Sequence, residues 1–131
     1  MAQSPSRPLS PHLTIWRWGP HMAASILHRI SGGVLTVGGL AVLAWWLMAL
    51  AGGADTYGQF AELAGHWAGK VVLIGLTWAF FQHLLTGIRH LAMDTGQGFE
   101  LGVNKRSAVV TFAGAVVFTA ALWAHFLGVF R

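Results

Sequence analysis

Three long stretches without charge set the pattern of this chain. Residues 30–53, "ISGGVLTVGGLAVLAWWLMALAGG", form the first; residues 71–88, "VVLIGLTWAFFQHLLTGI", lie between Lys70 and Arg89; residues 107–130, "SAVVTFAGAVVFTAALWAHFLGVF", run up to Arg131. Each approaches or exceeds the roughly 20 apolar residues that cross a hydrocarbon core. In lipid a backbone must satisfy its own hydrogen bonds, so each stretch predicts a helix. With their flanks the predicted spans are residues 24–53, 65–91 and 107–130, the second lengthened outward by "LAGHWAG" before Lys70. The connections "ADTYGQFAE" and "DTGQGFELGVNKR" hold turn residues and most of the acids, and read as loops. Residues 1–21, with four prolines and no signal-peptide core, read as an irregular N-terminal arm. The expected fold is all-α: an integral membrane bundle of three transmembrane helices in one domain, residues 22–131, behind that arm. There is no internal repeat, and three spans are too few for the inverted-repeat design of most secondary transporters.

Composition agrees with the pattern. Hydrophobic residues make up 55% of the 131 and charged ones 9%, far below the roughly 25% charged residues of soluble domains. The net charge of +4 comes from cations scattered at segment ends, which argues against nucleic acid as a partner. Without cysteine there can be no disulfide, no thiolate metal site and no covalent haem attachment. Arg7, Arg17 and Arg29 precede or open the first span, and Arg89, Lys105 and Arg106 flank the second connection, against Lys70 and Arg131 on the other side. The positive-inside rule then puts the N-terminus in the cytoplasm and the C-terminus in the periplasm. Nothing resembles a long amphipathic transit peptide, which favours a bacterial inner (cytoplasmic) membrane over the mitochondrial inner membrane. Trp16 with Trp18, and Trp45 with Trp46, suit interfacial belts.

The polar residues inside the spans carry the chemistry. In "HLLTGIRHLAMD" His83, Gly87, His90 and Asp94 follow helical spacing and share one face. By helical rise His83 lies about 9 Å from the inner end marked by Arg89, inside the membrane. An imidazole at that depth can bind iron, Gly87 would let a flat macrocycle approach the backbone, and Arg89 and His90 could meet its propionates. The other reading is helix packing, with His83 hydrogen-bonded to a neighbour. In "SILHRISGG" Ser25, Arg29, Gly32, Thr36 and Gly39 form a second polar or small stripe. Arg29 with a hydroxyl nearby could hold a quinone carbonyl, or Arg29 could snorkel to lipid phosphate while Ser25 caps the helix. His28 could contact a propionate or the head groups. Ser107, Thr111, Gly114, Phe118, Ala121 and His125 read as a packing seam. A six-coordinate haem needs a second ligand at the depth of His83. His125, about 27 Å from the inner end, and Met48 lie too far out, and His28 and His90 too shallow, so that ligand must come from another polypeptide.

These motifs resemble the cytochrome b membrane-anchor subunits of succinate dehydrogenase, respiratory complex II. One signature is His83 to Gly96, "HLLTGIRHLAMDTG"; the other is Arg7-Pro8 followed by "SILHRISG", Ser25 to Gly32. The resemblance covers nearly the whole chain. It implies that His83 is the axial ligand of a non-covalent b-type haem shared with a second small membrane-anchor subunit. It also implies that Ser25 and Arg29 contribute to the ubiquinone site, and that His28, Arg29 and His90 lie near the haem propionates. Partners would be the iron-sulfur subunit, the flavoprotein subunit and membrane lipids. The chain would take part in succinate:ubiquinone oxidoreduction in the respiratory chain and tricarboxylic acid cycle without holding the succinate site, since it has no flavin or iron-sulfur motif. Two other functions fit the same residues: a structural anchor without haem, and a small proton-conducting subunit using His83 as a relay.

Overall fold

In the computed structural model, which describes residues 17–128, the chain turns helical at Pro20. Gly19 is extended and Pro20 takes the first helical position, where its missing N–H costs nothing and its fixed φ is already helical. Helix α1, Pro20–Ala51, therefore begins inside the segment expected to be the irregular arm. Arg7, Pro8, Trp16 and Arg131 lie outside the described residues. At Leu35–Gly39, "LTVGG", α1 widens into a π-helical turn. Thr36 donates its hydroxyl to Gly32 O (2.9 Å), a back-bond that loosens helical geometry, and two glycines follow that add little propensity to resist it.

Helix α1 ends at a two-glycine turn in which Gly53 has φ 91°, open to glycine at little cost. The connection read as a loop is instead helix α2, Ala54–Gly65. Its Gln, Ala, Glu and Leu are good helix formers, and Phe60 meets Trp45 of α1 at a ring separation of 4.6 Å. Thr56 fastens its start by donating to Ala49 O (2.9 Å) and Gly53 O (3.0 Å). His66 then breaks the helical run with an extended backbone and caps the next helix, its Nδ1 accepting from Ala68 N–H at 3.4 Å. "LAGHWAG" is thus the junction of two helices rather than an extension of one.

Helix α3 is Trp67–Asp94 and α4 is Leu101–Phe126, so Lys105 and Arg106 stand within a helix rather than in the connection. Three helices, Pro20–Ala51, Trp67–Asp94 and Leu101–Phe126, are long and apolar enough to cross a membrane. They pack as expected for helices in lipid, where close approach and polar contacts replace hydrophobic burial as the glue. The buried apolar residues are all alanines: Ala24, Ala49, Ala79, Ala108 and Ala115. Beside them lie buried Ser31, Gln82, Thr86, Arg89, Thr111 and Thr119, while many large Leu, Val, Phe and Trp side chains are exposed. Helix α3 is central, packing most extensively on α4 and next on the first half of α1. Trp123 Nε1–H donates to Thr77 Oγ1 (3.2 Å) at the far end of the α3–α4 seam.

Candidate functional site

The pairing of α1 with α3 brings both sequence motifs together. His83 stacks on His28, with ring centroids 4.0 Å apart and planes 6° from parallel. His90, two turns along α3, meets His28 edge-on at 5.1 Å. His28, expected to be shallower than His83, is thus at its level. The reason lies at the helix ends: α1 starts at Pro20 and α3 continues past Arg89 to Asp94, which puts His83 about 16 Å from the end of its helix by helical rise. The rings stand face to face, so their nitrogens do not converge on a common point. Among the described residues no group of three metal-binding side chains gathers.

The protonation of His83 follows from its neighbours. Its Nδ1 lies 3.1 Å from His28 O, which can only accept, so Nδ1 carries the hydrogen. Ser31 Oγ lies 3.3 Å from the same nitrogen and gives its own proton to His28 O at 3.0 Å, leaving oxygen lone pairs toward the imidazole. In the neutral ring with Nδ1 as donor, Nε2 carries the lone pair and can act as a single metal ligand. Ligating histidines are commonly held this way, the second nitrogen donating to a carbonyl.

Space around the ring is set by small residues. A Cβ added to Gly32 would stand 2.9 Å from His83 Cε1, closer than such contacts occur, so α1 must be bare here for the imidazole to fit. At Gly87 a Cβ would meet His28 Cε1 at 3.6 Å, an ordinary contact. His28 Nδ1 is buried and has no hydrogen-bond partner among the described residues, a polar atom left for something the chain does not itself supply. Ser31 and Ala79, one turn from His83, open onto an apolar cavity of about 620 Å³ between α1 and α3, lined also by Gly38 and Gly75. One imidazole nitrogen free to ligate, an unpartnered polar atom and an apolar groove fit a flat macrocycle better than a bare ion.

Ser25 is half-buried and Arg29 exposed one turn further on, both on the first half of α1. Neither hydrogen-bonds to another described side chain. Arg89, expected beside His90 at a propionate, points elsewhere: it is 8% exposed and binds Asn104 Oδ1 (2.7 Å) and Ser107 Oγ (3.0 Å) of α4. Adjacent residues on a helix project about 100° apart, which sends His90 toward α1 and Arg89 toward α4. Asp94 closes α3, His125 lies exposed near the far end of α4, and Tyr57 belongs to α2. Sequence reasoning missed Ser31 as a partner of His83, and missed Asn104 and Ser107 as partners of Arg89. The available signal was that a buried arginine in spans without acids must find neutral acceptors.

Fold and site together define a protein with three helices long and apolar enough to cross a membrane and an imidazole tied by Nδ1 to the facing helix. Comparison with known proteins narrows this. Residues 3–122 match the model of the succinate dehydrogenase/fumarate reductase transmembrane subunit family, and the chain belongs to that family. It is 38% identical over 112 residues to the succinate dehydrogenase cytochrome b556 subunit of Paracoccus denitrificans, covering 86% of this chain and 85% of that one. To the cytochrome b556 subunit of Rickettsia conorii it is 37% identical over 117 residues, covering 89% and 90%. The mitochondrial cytochrome b560 subunit of Mus musculus is 36% identical over 124 residues, covering 91% of this chain and 71% of the relative.

Proposed function

We propose that this chain is a cytochrome b anchor subunit of succinate dehydrogenase, holding a non-covalent b-type haem through His83 Nε2 and forming part of the ubiquinone site. A second small anchor subunit would share the haem, and the flavoprotein and iron-sulfur subunits would dock on the cytoplasmic side as the source of electrons. The observation that carries this reading is the fixed tautomer of His83: Nδ1–H on His28 O turns the lone pair of Nε2 outward. When bound, the haem supplies a one-electron carrier within the membrane. His28, Arg29 and His90 would meet its propionates, and Arg29 would offer them positive charge. Ser25 and Arg29 donate hydrogen bonds to a quinone carbonyl, contacts that strengthen as its oxygen gains negative charge on reduction. The N-terminus and the α3–α4 connection face the cytoplasm and the C-terminus the periplasm of a bacterial inner membrane. The excess of Lys and Arg at those ends and the bacterial relatives support this placement.

The test is the complex isolated from membranes through its flavoprotein. Its reduced-minus-oxidised spectrum should show a b-type band; a structural anchor or a proton-conducting subunit gives none. Arg29→Leu should raise the KM for ubiquinone or lower quinone turnover at least tenfold, with succinate oxidation by a soluble dye unchanged. Unchanged quinone kinetics would remove Arg29 from the site.

Gly32 gives a finer check. Gly32→Ala forces the anchored imidazole aside, at an overpacking cost of about 1–3 kcal/mol. The haem-to-flavin ratio should therefore fall. Gly33→Ala, whose added methyl meets nothing within 4 Å, should leave the ratio as it was.

A further inference from the structure

Among the described residues Ser31 is the one buried hydroxyl that touches His83, and it is 3% exposed. Its hydroxyl proton goes to His28 O at 3.0 Å, and its Oγ stands 3.3 Å from His83 Nδ1. His28 O and Ser31 Oγ therefore form a pair of acceptors facing one N–H, and the Ser31 proton locks the two acceptors to each other. The pair sits on one turn of α1, so its position relative to α3 is set by helix packing at Gly32 rather than by a mobile loop.

We propose that Ser31 is a positioning residue that fixes the orientation of the His83 ring and lowers the reduction potential of the iron it ligates. The inference rests on the proposed haem ligation by His83. An acceptor at Nδ1–H draws that proton toward itself, places more electron density on the ring and makes Nε2 a stronger donor. A stronger donor favours the oxidised iron. Removing Ser31 Oγ takes away one of the two acceptors and the constraint on ring rotation about the other. The His28 carbonyl, no longer shared with the Ser31 proton, becomes a better acceptor and restores part of the loss, so the effect is moderate rather than large.

In the isolated complex, Ser31→Ala should retain its haem, shift the reduction equilibrium about threefold toward the reduced iron, and change the g values of the low-spin ferric EPR signal. For a one-electron couple at 59 mV per tenfold, threefold is about 28 mV upward. Ser31→Thr, which keeps an oxygen able to bond the same carbonyl, should return both readouts toward the parent. A loaded Ser31→Ala complex with the parent's potential and EPR signal overturns the proposal. Should alanine prevent assembly, Ser31→Cys decides: the weaker partner raises the potential if the proposal holds, and an unchanged potential or failed assembly of the cysteine variant overturns it. His83→Ala separates this outcome from failure of the functional reading. If His83→Ala keeps the parent's low-spin signal, the ligation itself is wrong; if it loses that signal while Ser31→Ala changes nothing, only the role of Ser31 falls.

Discussion

Alanine in place of His83 is expected to abolish the low-spin b-type signal of the isolated complex while the anchor still enters the membrane. The ring is only half-buried, and its loss leaves Ser31 still bonded to His28 O, so the cost to folding is about 1 kcal/mol. Insertion depends on the length and apolarity of the three spans, which the substitution does not alter. Haem retention depends on the bond to Nε2, because the chain has no cysteine for covalent attachment. Succinate oxidation by a soluble dye should continue, since that chemistry is assigned to other subunits. His28→Ala provides the contrast. It removes the stacked ring but keeps the backbone carbonyl that holds His83 Nδ1, so the low-spin signal should survive with altered stability. A His83→Ala complex with an unchanged low-spin spectrum would place the ligand elsewhere.

The spans and the two motifs were legible because a bilayer reduces their grammar to length and charge. Residues 30–53 can hardly be anything but a membrane helix, and the spacing of His83, Gly87 and His90 marks one face whatever lies opposite. What the sequence obscured were features decided by neighbours. "ADTYGQFAE" contains the same Gly, Asp and Thr that make turns, and it is helical because Phe60 finds Trp45 and Thr56 finds the end of α1. The register of α1 against α3 depends on both helices starting or ending several residues from where charge alone would place their limits. That is why His28 stacks on His83 rather than sitting nearer the surface.

Arg89 was misread for a related reason. Its position between two candidate haem residues suggested a shared purpose, yet one residue of helical rotation separates the site face from the α4 face. Ser31 was passed over because serine before paired glycines looks like packing. Only the facing helix shows that its oxygen meets an imidazole.

Removal of the Arg89 side chain is expected to weaken assembly more than removal of any other cationic side chain among the described residues. Arg89 is 8% exposed and has no acidic partner among the described residues; its Nε–H goes to Ser107 Oγ and an Nη–H to Asn104 Oδ1. Asn104 passes the tie on, donating to Gly98 O at 3.3 Å in the α3–α4 connection. Arg89 therefore fixes the connection and the first turns of α4 against the end of α3. Arg89→Ala leaves the part-buried Asn104 Oδ1 without its partner and opens a gap beside it. Losing charged hydrogen bonds there costs about 3 kcal/mol. The expected result is severalfold less assembled complex in membranes and a thermal midpoint several degrees lower. Arg89→Lys keeps the charge but cannot span both acceptors as a planar fork, so it should recover only part of the loss. Were Arg89 instead a partner of the haem propionates, lysine would restore most function and Asn104→Ala would add independently to Arg89→Ala. A tie between helices predicts the opposite, a double variant barely worse than the Arg89 variant alone, with about 1–2 kcal/mol of coupling. Independent additivity, or an Arg89→Ala complex as stable as the parent, would overturn the assignment.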